Sequence, residues 1–120
     1  QGLRTVFFFG EQYDRAVKYG LLVKEPVALD YAFLAMGCAY LGRTGDAEAA
    51  AANVKKVDPT WIAERFLIEG GGWAEKEAEL FVDGARKAGL PACVPADKLK
   101  DMPNKSRVKS CDQQRAKIAG

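Results

Sequence analysis

The side chains able to carry chemistry are few and scattered. The chain has no histidine, which removes the commonest acid–base catalyst and the commonest metal ligand together. Its three cysteines, Cys38, Cys93 and Cys111, form no C-x-x-C pair. Odd in number and widely spaced, they read as free thiols in a reducing, cytoplasmic setting rather than as a disulfide framework. Glu75, Glu77 and Glu79 are a close gathering of carboxylates, but acids in the first turns of a helix read as a solvated face that suits the helix dipole. Gly70-Gly71-Gly72 invites a phosphate-loop reading, yet no G-K-[ST] follows, and a turn is the better account. No catalytic residue, no metal set and no cofactor site is expected. An enzyme reading would need a perturbed carboxylate or thiol buried in a polar pocket.

Composition bounds the rest. With 120 residues, 48% of them apolar, and a net charge of +2, the chain can build one real core and is not steered towards nucleic acid. The longest uncharged run, Tyr31 to Gly42, is too short to span a bilayer, so no transmembrane segment is expected. The chain begins at Gln1 without a methionine and reads as a piece of a longer protein.

The elements that would position these residues are helices. Val27, Tyr31, Leu34, Ala35, Cys38 and Leu41 recur at three- and four-residue steps, the spacing of one helical face. Gly42 suits a left-handed stop. Ala47, Ala50, Ala51 and Val54 mark a second helix, which Asp58-Pro59 ends. The stretch 27–59 is therefore a helical hairpin. Before it, Leu3, Val6 and Phe7 suggest a short helix, and Tyr13, Ala16, Val17, Gly20 and Leu21 a second, stopped by Glu25-Pro26. A strand through Phe7-Phe8-Phe9 is the alternative. After it, Trp61, Ile62, Arg65, Phe66 and Glu69 suggest a helix ended by Gly70-Gly71-Gly72. Ala74, Ala78, Phe81, Val82, Ala85 and Ala88 give the cleanest amphipathic helix, closed by Gly89-Leu90-Pro91.

The central hairpin resembles the tetratricopeptide repeat (TPR), whose pattern runs aromatic, leucine, small residue, tyrosine, alanine, phenylalanine and proline over about 34 residues. Tyr31, Leu34, Ala35, Cys38, Ala47, Ala51 and Pro59 hold those places, with Cys38 and Ala51 departing from the pattern. A degraded copy begins 31 positions earlier, with Leu3, Phe7 and Ala16 under Leu34, Cys38 and Ala47. The string from Leu80 to Pro91 resembles the closing helix of the TPR regions that end many bacterial class III adenylate/guanylate cyclases. The fold expected is all-α: antiparallel hairpins stacked as a short right-handed superhelix of about six helices over residues 1–94. Residues 95–120 would follow as a basic polar tail, disordered or loosely docked.

The resemblance implies a non-catalytic protein–protein interaction module, the C-terminal regulatory region of a cyclase-like signalling protein. A free-standing helical adaptor or oligomerisation domain stays open beside it, as does, more remotely, a small enzyme using carboxylate or thiol chemistry. In such repeats the first helix of each hairpin lines a groove, which places Leu29, Ala32, Phe33, Met36 and Tyr40 there, with Thr5, Phe8 and Phe9 in the earlier copy. Asp30 is the only charge from Val27 to Gly42, so the helix needs cover on both sides. The cover could be its own bundle, a protein or peptide segment with an apolar face, or a second copy. The Lys/Asn set that clamps a carboxylate terminus in chaperone-binding repeats is lacking. The tail carries seven basic and three acidic residues without aromatic interleaving, and no specific nucleic-acid partner is expected.

Overall fold

A computed structural model describes residues 2–102 and 108–119. The basic residues Lys105 and Arg107, counted in the tail above, lie outside the described residues. The fold is all-α. Six helices lie within residues 1–94: α1 Gly2–Phe9, α2 Tyr13–Gly20, α3 Ala28–Tyr40, α4 Thr44–Val57, α5 Ala63–Gly70 and α6 Glu75–Lys87. Two more follow in the tail, α7 Ala96–Leu99 and α8 Lys109–Ala119. Phe7-Phe8-Phe9 belongs to α1, not to a strand.

The central hairpin is α3 and α4, the most extensively packed pair in the chain. Gly42 takes φ 77° between them, a left-handed conformation that a side chain would strain. Asp30 begins α3 twice over. Its Oδ2 accepts the Val27 N–H at 2.9 Å, satisfying an orphan donor of the first turn. Its Oδ1 accepts from Arg4 Nη2 of α1 at 2.6 Å. Both side chains of this ion pair are almost wholly buried, and the Arg4 guanidinium lies 4.4 Å from the centre of the Phe33 ring. Burial lowers the Arg4 pKa, and Asp30 opposes the shift.

The first two hairpins pack in sequence, α1 on α2, α2 on α3 and α3 on α4. The third departs from a regular stack, because it is α6 that lies across α3. Gly84 makes this possible. A β-carbon there would stand 3.0 Å from Tyr40 Cε2 and 3.1 Å from Met36 Cβ, so only a residue with no side chain lets the helices come this close. Phe81, fully buried, then reaches Phe33 at 5.4 Å and Phe66 at 5.6 Å between ring centres. Phe9 meets Trp73 beside it at a tilt, with ring centres 5.3 Å apart. The folding-back makes the molecule compact: its radius of gyration is 13.9 Å, against roughly 13.6 Å for a globule of this length.

Two helices are shorter than their patterns suggest. α2 stops at Gly20, leaving Leu21 62% exposed. Trp61 and Ile62 precede α5 rather than joining it, with Ile62 in extended backbone. The start of α5 is completed by main chain from beyond α6: the Ala63 and Glu64 N–H groups donate to the Pro91 and Ala92 carbonyls at 3.0 and 2.9 Å. These bonds supply partners that a side-chain cap would otherwise provide.

Two glycine substitutions separate close packing from helix propensity. Gly84→Leu should destabilise the fold by about 1–3 kcal/mol through overpacking between α3 and α6. Gly45→Ala, in the first turn of α4 with nothing within 4 Å of its added carbon, should instead stabilise it by about 0.5 kcal/mol. Denaturant unfolding followed by circular dichroism measures both.

Candidate functional site

The residues expected to line a partner groove are largely inside the molecule. Phe8, Ala32, Phe33 and Met36 are buried, while Thr5, Phe9, Leu29 and Tyr40 are half-buried. The cover that α3 needs comes from α6 on this face. Phe33 meets Phe81 edge-on, Phe8 meets Phe33, and Tyr40 is stacked on Tyr13 at 4.4 Å. The Tyr40 hydroxyl reaches the Leu80 carbonyl at 2.7 Å and Asp83 Oδ2 at 3.1 Å. Burial, then the Asp83 charge, pushes the Tyr40 pKa far up, so this hydroxyl keeps its proton and serves as a joint between α3 and α6. Phe8, Ala32, Phe33 and Met36 are core, which corrects the expectation that they stand open to a partner.

One part of the expected groove does remain open. Leu29 lines a shallow cleft of about 270 Å³ together with Val27, Trp61, Ile62, Arg65 and Phe66. Asp58 and Glu69 stand at the same cleft, so its apolar floor has charges of both signs around it. Trp61, Ile62, Arg65, Phe66 and Glu69 are the residues whose spacing suggested a helical face, and the cleft is where that face points. Asp58 accepts from Thr60 Oγ1 at 2.8 Å and from Thr60 N–H at 3.0 Å. These bonds, and then Arg65 at 3.9 Å, hold its pKa below the ordinary carboxylate range.

A second constellation escapes the sequence reading altogether. Glu64, on the opposite face of α5, is fully buried. Its Oε1 accepts from the Val94 N–H at 2.8 Å and from Arg115 Nη1 at 2.5 Å, and its Oε2 accepts from Arg115 Nη2 at 2.9 Å. Arg115 also donates to the Val94 carbonyl at 2.9 Å and to Asp112 at 2.7 Å. The fork of donors meets the carboxylate two-to-two, the strongest geometry for such a pair, and the bond to Glu64 raises the Arg115 pKa further. Beside this pair Cys93 and Cys111 form a disulfide with Cα atoms 5.4 Å apart, which corrects the expectation of three free thiols. Only Cys38 remains free, and burial raises its pKa, the condition of an unreactive thiol. Arg86 Nη2 lies 3.3 Å from Cys93 Sγ and 3.9 Å from Cys111 Sγ. The tail is thus docked at α8, where a disordered or loosely docked segment was expected.

The chemistry open to this junction is limited by how fully its groups are engaged. Ligand atoms of Glu64, Cys93 and Cys111 lie within 4.8 Å of one another, a spacing that could hold a metal. In this state both sulfurs are committed to each other and both Glu64 oxygens to Arg115. Glu64 is the buried carboxylate in a polar pocket that an enzyme reading asks for, but its lone pairs are already taken. The sequence held one sign of it: Glu64 stands three and four positions before Leu67 and Ile68, on the buried stripe of α5. Among the described residues no helix is long and apolar enough to cross a membrane. No protein-family model, curated protein or solved structure matches the chain.

Removing Arg115 alone strands a buried carboxylate, so Arg115→Met should destabilise the protein by about 3 kcal/mol. Glu64→Met with Arg115→Met should recover at least half of that loss, read from denaturant midpoints. Asp58 offers a test by pH. Because its pKa is depressed on folding, its contribution to stability is present above the ordinary carboxylate range and is lost as pH falls through the lowered value. Thr60→Val, which removes the stronger of the two donors, should move the Asp58 titration upward in carboxyl-detected NMR.

Proposed function

We propose that this chain is a non-catalytic helical interaction module of TPR-like order, and that the cleft at Leu29, Ile62 and Phe66 is its docking surface. The observation that carries the reading is the survival of an open apolar floor at one end of α3 when the rest of that face is covered by α6. A protein or peptide segment with an apolar anchor would seat there, flanked by charges able to answer Arg65, Asp58 and Glu69. Affinity at such a site comes from the anchor, and the rim charges add orientation. The likeness of Leu80–Pro91 to the closing helix of cyclase TPR regions supports a place beside a signalling enzyme, whose catalytic unit would be a separate α/β domain. A cytoplasmic setting accords with that context, provided the disulfide is one that opens and closes.

Self-association is a second reading, favoured by apolar surface on α1 and at the end of α2. Leu3 and Leu22 are 55% and 68% exposed, and with Tyr19 and Val23 they line a cleft of about 240 Å³. Exposed patches of this kind mark contact surfaces in many proteins.

A random peptide library displayed on phage tests the first reading. Selected peptides should carry an apolar anchor, and their binding should fall at least about tenfold on Ile62→Glu, the loss expected of a single desolvated contact. Val57→Glu, at an exposed position of α4, should leave it unchanged. Absence of enrichment, or binding indifferent to Ile62→Glu, would sink the proposal. A dimer by light scattering that Leu22→Glu dissolves would favour the second reading.

A further inference from the structure

We propose that the Cys93–Cys111 bond is a thiol-exchange site that gates the docking of α8, opened by a small-molecule thiol and closed by a small-molecule disulfide. The first ground is how little else holds the helix. Of the described side chains in α8 only Cys111 is fully buried, Val108 precedes it, and Ile118 near its end is 79% exposed. An eleven-residue helix with so narrow an apolar contact is marginal in water by itself. The remaining attachments are polar: Arg115 on Glu64, Ser110 on Glu79 at 2.6 Å, Arg86 on Ser110 at 3.2 Å and Gln114 at 3.4 Å, and an exposed Lys109–Glu75 pair. The disulfide closes a loop across 18 positions and so restricts how far the helix can leave.

The second ground is the asymmetry of the two sulfurs. Cys93 is half-buried and Cys111 wholly buried, so an incoming thiolate reaches Cys93 Sγ. In that exchange a bond forms between the small thiol and Cys93 Sγ, the Cys93–Cys111 bond breaks, and the electron pair departs on Cys111 Sγ. A second small thiolate then attacks the sulfur of the first, freeing Cys93 as a thiolate. Two small thiols become one small disulfide, and their two protons and two electrons end on the cysteines. Arg86 stands where it can stabilise both departing thiolates, which favours the reduced form relative to a bridge among neutral groups. With the bridge open, the helix leaves α5 and uncovers Glu64.

The test uses the full chain in glutathione buffers of graded ratio. Free thiols are counted by maleimide mass tagging, and amide hydrogen exchange is followed by mass spectrometry. Reduction should occur while α3 and α4 stay protected, and amides of 109–119 should then exchange at least about tenfold faster. Arg86→Gln should shift the midpoint about threefold or more towards stronger reducing conditions. Cys93→Ser, at the more exposed sulfur, should show the fast exchange in every buffer. A bridge that opens only when the whole chain unfolds would overturn the proposal, as would a reduced chain whose α8 stays protected. So would stoichiometric uptake of Zn²⁺ by the reduced chain that restores protection, since the sulfurs would then be metal ligands beside Glu64.

Discussion

The close approach of α3 and α6 at Gly84 is the contact on which the rest of the structure depends. α3 is apolar on nearly every side, and α4 can hide only part of it. A helix in that position must find a second cover or expose aromatic surface to water. Gly84 lets α6 provide that cover at the distance where Met36 and Tyr40 are already in contact. Phe81 is thereby carried into the middle of the ring cluster formed by Phe9, Phe33, Phe66 and Trp73. Once α6 is fixed there, the chain beyond it passes α5, and Cys93 and Val94 arrive where α8 can meet them.

The two buried ion pairs work at opposite ends of this arrangement. Arg4–Asp30 ties α1 to the first turn of α3, and Glu64–Arg115 ties α8 to α5. Neither is strong evidence of added stability, because taking two charges out of water costs much of what their attraction returns. Each does specify which surfaces meet. Asp30 serves a main-chain donor as well as Arg4, and Glu64 does the same for Val94, so a slipped register would leave charge and backbone unsatisfied together.

Much of the helical architecture was legible because it is written in local periodicity. The hairpin at 27–59, the stop at Gly42 and the closing turn at Gly89-Leu90 all follow from spacing and backbone conformation that neighbouring residues determine. The cover over α3 was not legible: Phe33, Met36 and Tyr40 read equally well as groove or as core, and only the path of α6 decides. The same limit applies at the polar junction. Glu64 and Arg115 are 51 positions apart, and no local pattern joins an acid on one helix to a base on another. Cys93 and Cys111 failed for a different reason, since spacing alone argues about frameworks and not about one pair that folding brings together. Along α5 the pattern found the outer stripe, Arg65, Phe66 and Glu69, and passed over the inner one.

The main-chain completion of α5 bears on the order in which the molecule assembles. α1 to α4 form through contacts between consecutive helices, which close short loops and are reached quickly. The first turn of α5 is different, because its Ala63 and Glu64 N–H groups wait for Pro91 and Ala92. During synthesis from the N-terminus, the first four helices can therefore settle while α5 is still unfinished. Its start is completed only after α6 has emerged and the chain has doubled back, so the part that both the cleft and the junction share closes later than the helices before it.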